Sequence, residues 1–137
     1  MVVEQIDPRP MEIRHKRHAP KYYTCPKCGV KSKRVRKWTK RYRDISFHSE
    51  AYLDVTRGTY HCRRKRRGCG AYFVNETPWA PKGGHYSTAV HEMVIQGLVR
   101  DRMSYLRLQR RMAEDFLINV SLSTMFRWFN AAAAEPD

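Results

Sequence analysis

Four cysteines, set as two pairs, constrain what this chain can fold into more than any other feature. The first pair lies in Thr24-Cys25-Pro26-Lys27-Cys28-Gly29, the second in His61-Cys62-Arg63-Arg64-Lys65-Arg66-Arg67-Gly68-Cys69-Gly70. Thiolate is a soft ligand suited to tetrahedral zinc, and a structural site of that kind takes four protein ligands and leaves no open position. The spacing of Cys25 and Cys28 lets one tight turn present two sulfurs to one ion, and Gly29 can adopt the positive φ that closes such a turn. Six residues separate Cys62 from Cys69, so the second pair reads as a loop. The alternatives are a disulfide or four unrelated thiols. Met1 to Pro10 carries Glu4, Asp7 and Arg9 and has no apolar core segment, which is not how a secretory signal reads. A reducing, cytoplasmic setting is therefore expected, and there paired cysteines mean metal more often than disulfide. His61 adjoins Cys62, but adjacent strand residues point to opposite faces, so the sulfur is the expected ligand. The expectation is one structural Zn²⁺ on Cys25, Cys28, Cys62 and Cys69, clamping two ends of a small sheet as a zinc ribbon.

Charge is the second constraint. Residues 1–76 hold 20 Lys/Arg against 7 Asp/Glu, whereas residues 77–137 hold 7 against 6. A field this basic implies an acidic polymer as partner, nucleic acid being the commonest. No apolar run approaches the length of a membrane span, and no basic amphipathic helix or lipidation signal points to a membrane surface.

Along the chain, residues 1–20 carry Pro8, Pro10 and Pro20 among mixed charges and read as a mobile arm. Residues 21–76 read as the ribbon. Lys33–Trp38 and Arg41–Phe47 mix β-formers with basic residues as an exposed hairpin would. Ala51, Leu53 and Val55 alternate with Tyr52, Asp54 and Thr56, the period of a half-buried strand. Arg57-Gly58 reads as a turn, Thr59–Cys62 as a return to the metal, and Ala71–Val74 as a last strand. Residues 77–86, with two prolines and two glycines, read as a linker. Residues 87–134 read as three helices. Ser87 caps a first helix with Val90, Val94 and Leu98 on one face, and Ser104 caps a second with Tyr105, Leu108, Met112 and Phe116. Ser121 opens a third, with Met125, Trp128 and Phe129 inward, and Glu135-Pro136-Asp137 stops it. The fold class is thus α+β: a zinc-ribbon sheet followed by a three-helix domain.

Two constellations carry the chemistry. Met112-Ala113-Glu114-Asp115-Phe116 followed by Val120–Trp128 has the core-and-cap pattern of a helix-turn-helix, with Leu117-Ile118-Asn119 where a single glycine usually makes the turn. In that arrangement Ser123, Thr124, Arg127 and Asn130 reach base edges, while Ser121 and Ser123 meet phosphates at the helix N-terminus. Arg pairs bidentately with guanine and Asn with adenine. The second constellation is the basic ribbon: Lys31, Lys33, Arg34, Arg36, Lys37, Lys40, Arg41 and Arg43, interleaved with Trp38 and Tyr42, then Arg63, Arg64, Lys65, Arg66 and Arg67 between Cys62 and Cys69. Five successive like charges in a closed loop repel one another unless a polyanion screens them, so phosphate contact is expected. No catalytic site is expected. Asp44, Asp54, Glu92, Asp101, Glu114 and Asp115 fall on surface positions with no pattern to gather them, and two-metal phosphoryl transfer needs convergent carboxylates.

Taken in order, Cys25-Pro26-Lys27-Cys28-Gly29, Arg43-Asp44-Ile45, Cys62 … Cys69 with Tyr72-Phe73, and the helix-turn-helix positions resemble the N-terminal DNA-binding region of certain bacterial insertion-sequence transposases over roughly residues 22–130. The resemblance implies binding to terminal inverted repeats of double-stranded DNA in the nucleoid, and assembly as a homodimer or larger nucleoprotein complex. The acidic nuclease domain of those proteins has no counterpart here, so the chain reads as a fragment, a truncated copy or a standalone binder. Three rivals stand beside this reading: a standalone transcription regulator of transposase origin, an RNA-binding zinc ribbon that stacks bases on Trp38 or Tyr42, and, last in order, a nuclease, which would require Mg²⁺- or Mn²⁺-dependent cleavage that substituting Asp101, Glu114 or Asp115 removes.

Overall fold

The computed structural model describes residues 11–46, 49–81 and 83–134. Five strands precede three helices: β1 (Met11–Arg17), β2 (Tyr22–Thr24), β3 (Lys31–Asp44), β4 (Glu50–His61), β5 (Tyr72–Val74), α1 (Thr88–Val99), α2 (Tyr105–Phe116) and α3 (Leu122–Ala134). The class is α+β, and the strands form one sheet in the order β1-β4-β3-β2, with β5 paired to β4. Two compact units are present. One comprises Arg14–Tyr42 and Leu53–Thr88, and the other takes Arg43–Tyr52, the chain from Ala89 onward and the segment ending at Ile13.

Several local readings change. Met11–Arg17, expected in a mobile arm, is a strand paired with β4; residues 1–10, Phe47 and the stop at 135–137 lie outside the described residues. The two basic stretches expected as a hairpin are one continuous strand, β3. It pairs with β2 on one side and with β4 on the other, where Arg41 faces Asp54 and Thr39 faces Thr56, so one number rises as the other falls and the pair is antiparallel. The alternation of charged and β-branched residues suits a strand with one wet face just as well as it suits two short arms.

Arg57-Gly58 is not a turn, and strand β4 runs through it. Buried positions go Ala51, Leu53, Val55, Arg57 and then Gly58, Tyr60, Cys62. The alternation changes phase by one residue, as it does where an extra residue enters a strand. A side chain at position 58 would collide with the Tyr60 ring, which is why glycine occupies the slip. Its consequence is directional: without it Cys62 would face the wrong side of the strand.

The core of the sheet unit gathers Tyr42, Leu53, Val55 and Ala80, with Trp79 packed on it. Ala80 and Trp79 belong to the stretch read as a linker; it is instead fastened to the sheet. Buried Arg57 donates to the carbonyls of Ala80 and Pro81 and to Thr77 Oγ1, and its guanidinium lies over the Tyr42 ring. A second seam stacks Tyr60 on Phe73 and Tyr23, with Tyr60 donating to the Pro20 carbonyl at 2.6 Å. Fully burying side chains of this size contributes about 1.5–3 kcal/mol each.

In the helical unit, Val90 and Val94 of α1 are buried as expected, but their companion is Gly97, not Leu98, which is half-buried. Leu108 of α2 occupies the space a side chain at 97 would need, so the two helices approach closely there. Ser104 accepts from the Arg107 N–H and caps α2. Leu117 ends α2 at φ 58°, with its own N–H and that of Ile118 bonded to the Met112 carbonyl. This is the left-handed closure usually given to glycine or asparagine. The turn's Ile118 and Val120 are buried beside Met112, Phe116 and Met125. Trp128 and Phe129 are half-buried. Trp128 stacks on His91 at 3.8 Å between ring centroids. Among the described residues no helix is long and apolar enough to cross a membrane.

Two outcomes follow from this packing. Buried Asn75 accepts from the Gly58 N–H at 2.9 Å and donates to the His18 carbonyl at 2.6 Å. Asn75→Ala strands both groups and should cost about 1–3 kcal/mol in urea unfolding of the metal-loaded protein; unchanged stability would refute the role. Burial holds the His91 imidazole below its usual value, so the unfolded chain binds more protons than the native one. The stability this contributes is full above the unfolded value of about 6.5 and is lost as pH falls below it. Melting temperatures between pH 7.5 and 5.5 should therefore fall less steeply in His91→Phe than in wild type, and parallel curves would refute it.

Candidate metal centre and nucleic-acid interface

The first cysteine pair lies between β2 and β3 and the second between β4 and β5, so both hairpin ends of the sheet meet at one point. The four Sγ atoms all lie within 4.8 Å of one another; Cys25 and Cys69 are 3.7 Å apart, and Cys28 and Cys62 are 3.3 Å apart. A disulfide would need about 2.05 Å, and all four are unbridged thiols. Metal–sulfur bonds of about 2.3 Å at tetrahedral angles put sulfurs about 3.8 Å apart. The cluster therefore has the size of a cage for a single ion. Among the described residues it is the one group of three or more His, Cys, Asp or Glu so arranged. His61 is directed elsewhere: its ring stacks on Tyr72.

The two pairs are the same device built at different lengths. In the first, the Cys25 N–H bonds to the Val30 carbonyl and the Gly29 N–H to the Cys25 carbonyl. In the second, the Cys62 N–H bonds to the Ala71 carbonyl and the Gly70 N–H to the Cys62 carbonyl. Gly29 (φ 77°) and Gly70 (φ 83°) hold the left-handed conformation at matching places, which is cheap only for glycine. The longer spacing is absorbed by a single 3₁₀ turn, Arg64–Arg66, closed by Arg67 at φ 66°. Gly68 lies so close to Cys62 that a Cβ there would sit 2.6 Å from its Sγ and 2.6 Å from the Arg63 carbonyl oxygen. The sequence signal for this equivalence was the repeated Cys-Gly of Cys28-Gly29 and Cys69-Gly70.

Electrostatics favour a cation at the centre. Burial pushes the Cys62 thiol up, but bonds from Cys28 Sγ, the Cys69 N–H at 3.3 Å and Ser32 outweigh it and hold the group below its ordinary value. For Cys69 the Ala71 N–H acts to lower the value, yet burial and the three neighbouring sulfurs raise it overall. Four thiols this close cannot all ionise without a positive ion between them, and metal binding therefore expels protons.

The expected nucleic-acid contacts divide. On β3, Lys33, Arg36 and Lys37 are exposed. Arg34 donates to the Ala19 carbonyl, and Lys40 lies over the Tyr42 ring at 5.2 Å. Arg41 is held by Asp54 through two bonds of 2.8 and 3.1 Å, which keep that carboxyl below its usual value. Arg43 bonds to Glu50 at 2.9 Å and to the Leu117 carbonyl, so its charge is absorbed internally. Arg63, Arg64, Lys65, Arg66 and Arg67 are all exposed. On α3, Ser121 caps the helix by accepting from the Thr124 N–H at 3.2 Å. Its hydroxyl also meets Ser123 and Thr124, and Arg127 donates to Thr124 Oγ1 at 3.2 Å. Arg127, Ser123 and Asn130 are exposed. Of the carboxylates, Asp54 and Asp115 are ion-paired with Arg41 and Arg111. Asp44 is buried, contrary to the surface position expected for it.

Comparison with known proteins finds no matching family, no matching curated protein and no matching solved structure.

The cage makes a direct demand. Metal titration followed by native mass spectrometry should find one equivalent per chain, and Gly68→Ala should lower the affinity at least tenfold. Retention of full affinity by that variant would refute the close approach at Cys62.

Proposed function

We propose that this chain binds double-stranded DNA sequence-specifically through two parts, a zinc ribbon that contacts the backbone and a helix-turn-helix whose third helix reads the major groove. The observation that carries the reading is the outward face of the ribbon. Lys31, Lys33 and Lys37 recur on one side of β3, a spacing of about 6.8 Å for every second residue, and the knuckle adds Arg63–Arg67. Cations set out in this way on a metal-fixed scaffold suit a phosphate backbone, whose contribution to binding is strong, sequence-independent and salt-sensitive. Zinc is the ion that an all-thiolate tetrahedral cage selects. For the reading helix, support comes from the capped N-terminus of α3 and from exposed Arg127 and Asn130, side chains able to address guanine and adenine. Following the resemblance, the DNA would be the inverted repeat at a mobile-element end, bound by a dimer or larger assembly. A transcription regulator would use the same residues. No catalytic step is assigned to the chain.

One observation favours the RNA-binding reading in altered form. Tyr42 is buried and so is no stacking platform, whereas Trp38 is half-buried with its ring N–H held by Thr59 at 3.0 Å; Tyr72 is 68% exposed and Tyr22 40%, each with one ring face met by His61 or Lys31.

The test is selection of bound sequences from random duplexes at physiological salt, with Arg127→Ala and an Arg36→Gln/Lys37→Gln variant alongside. A defined motif should emerge. Arg127→Ala should relax it at one position, at a cost of about 1–3 kcal/mol, and the strand variant should weaken every duplex equally. Retention of duplexes without a motif, together with tighter binding of single-stranded RNA, would transfer the function to the ribbon and its exposed tyrosines.

A further inference from the structure

The second knuckle and β3 enclose a cavity of about 90 Å³. Lys31, Lys33, Arg63 and Arg66 line it together with Tyr22 and His61, and no carboxylate does. The convergence has a local cause on each side. Lys31 and Lys33 are two apart in a strand and share a face, while Arg63 and Arg66 are three apart across a 3₁₀ turn, where such positions eclipse. Among the described residues Lys33, Arg63 and Arg66 enter no ion pair. Lys31 lies over the Tyr22 ring at 5.0 Å. His61 is steadied by a parallel stack on Tyr72, 4.2 Å away at 4°.

Four cations around so small a space repel one another, and every charged group in the lining donates hydrogen bonds without accepting any. Its volume of about 90 Å³ exceeds the roughly 10–15 Å³ that a single water needs, which leaves room for a tetrahedral oxyanion. The guanidinium fork matches phosphate oxygens geometrically. The thiolate-bound ion nearby would carry a net negative charge, but the Arg64 side chain lies against Gly70, next to Cys69, and offsets it on that side.

We propose that this cavity seats one phosphate group. Resting on the DNA reading above, that group belongs to the nucleic-acid backbone, held beside the metal knuckle by Lys31, Lys33, Arg63 and Arg66. The knuckle turn is then a specific phosphate clamp as well as a charged surface.

The test uses the metal-loaded full chain, observed by NMR during titration with inorganic phosphate and then with a random 20-base-pair duplex. Saturable shifts are expected at Lys33, His61, Arg63 and Arg66 with inorganic phosphate, and none that saturate at Arg36 or Lys37. Arg63→Gln/Arg66→Gln should keep one equivalent of metal, lose the saturable shifts, and reduce the slope of log affinity against log salt on the duplex by about 1. Uniform, unsaturable shifts over all exposed cations would overturn the clamp, as would an unchanged salt slope in a variant that retains its metal. Saturation by inorganic phosphate in a protein that retains no duplex would refute the DNA reading and leave the cavity as a site for a free phosphate group.

Discussion

Four sulfurs meeting within a few ångströms are the constraint on which the sheet depends. Among the described residues its apolar packing is the Tyr42, Leu53, Val55 and Ala80 cluster with Trp79 and the Tyr60, Phe73 and Tyr23 seam, a modest core to set against the conformational entropy of ordering five strands. An ion held by the four sulfurs would tie the β2–β3 end to the β4–β5 end. Structural zinc in comparable small domains binds with about 10–16 kcal/mol, as large as the net stability of a typical whole domain. Everything else in the sheet unit can be read as geometry that brings the sulfurs to one point.

Polar groups inside the sheet serve that geometry. The slip at Gly58 turns Cys62 inward, and the Gly58 N–H there is met by a side chain. Asn75 accepts from it and donates its amide to the carbonyl of His18, the residue that follows β1. Arg57, buried just before the slip, is answered by the carbonyls of Ala80 and Pro81 and by the face of Tyr42. A buried guanidinium is costly unless its donors are used; here Nη2 holds the chain leaving β5 against the sheet, while Nε is left without a hydrogen-bond partner among the described residues. One irregularity in β4 thus recruits the segments on both of its flanks.

Much of this was legible in the residues. The cysteine pairs announced a clustered site, the alternation at Ala51, Leu53 and Val55 announced a strand, and the helical spacing of Leu108, Met112 and Phe116 announced the face of α2. What could not be read were features fixed by distant partners. Arg57-Gly58 has turn composition and becomes mid-strand only because β3, Asn75 and Tyr60 surround it. Thr77–Pro81 has linker composition and is pinned only because a buried arginine awaits its carbonyls. Leu98 fits the apolar stripe of α1 as well as Gly97 does until Leu108 claims the space. In the basic run the residue type gave the charge, but not the separation of Arg41 and Arg43, which carboxylates neutralise, from Lys33, Arg63 and Arg66, which none does.

The matched hydrogen bonds of the two cysteine loops carry a consequence for how this protein could change over time. Excise Arg64 through Arg67 and the chain reads Cys62-Arg63-Gly68-Cys69-Gly70, the cadence of Cys25-Pro26-Lys27-Cys28-Gly29. The cage needs only that shorter form. The four inserted residues, all cationic, form a cassette mounted on a rigid frame, so its length and charge are open to alteration without disturbing the ligands beneath. The metal ligands and most of the loop's charge thus lie in separate stretches of the same loop, and the second can be revised while the first stays fixed.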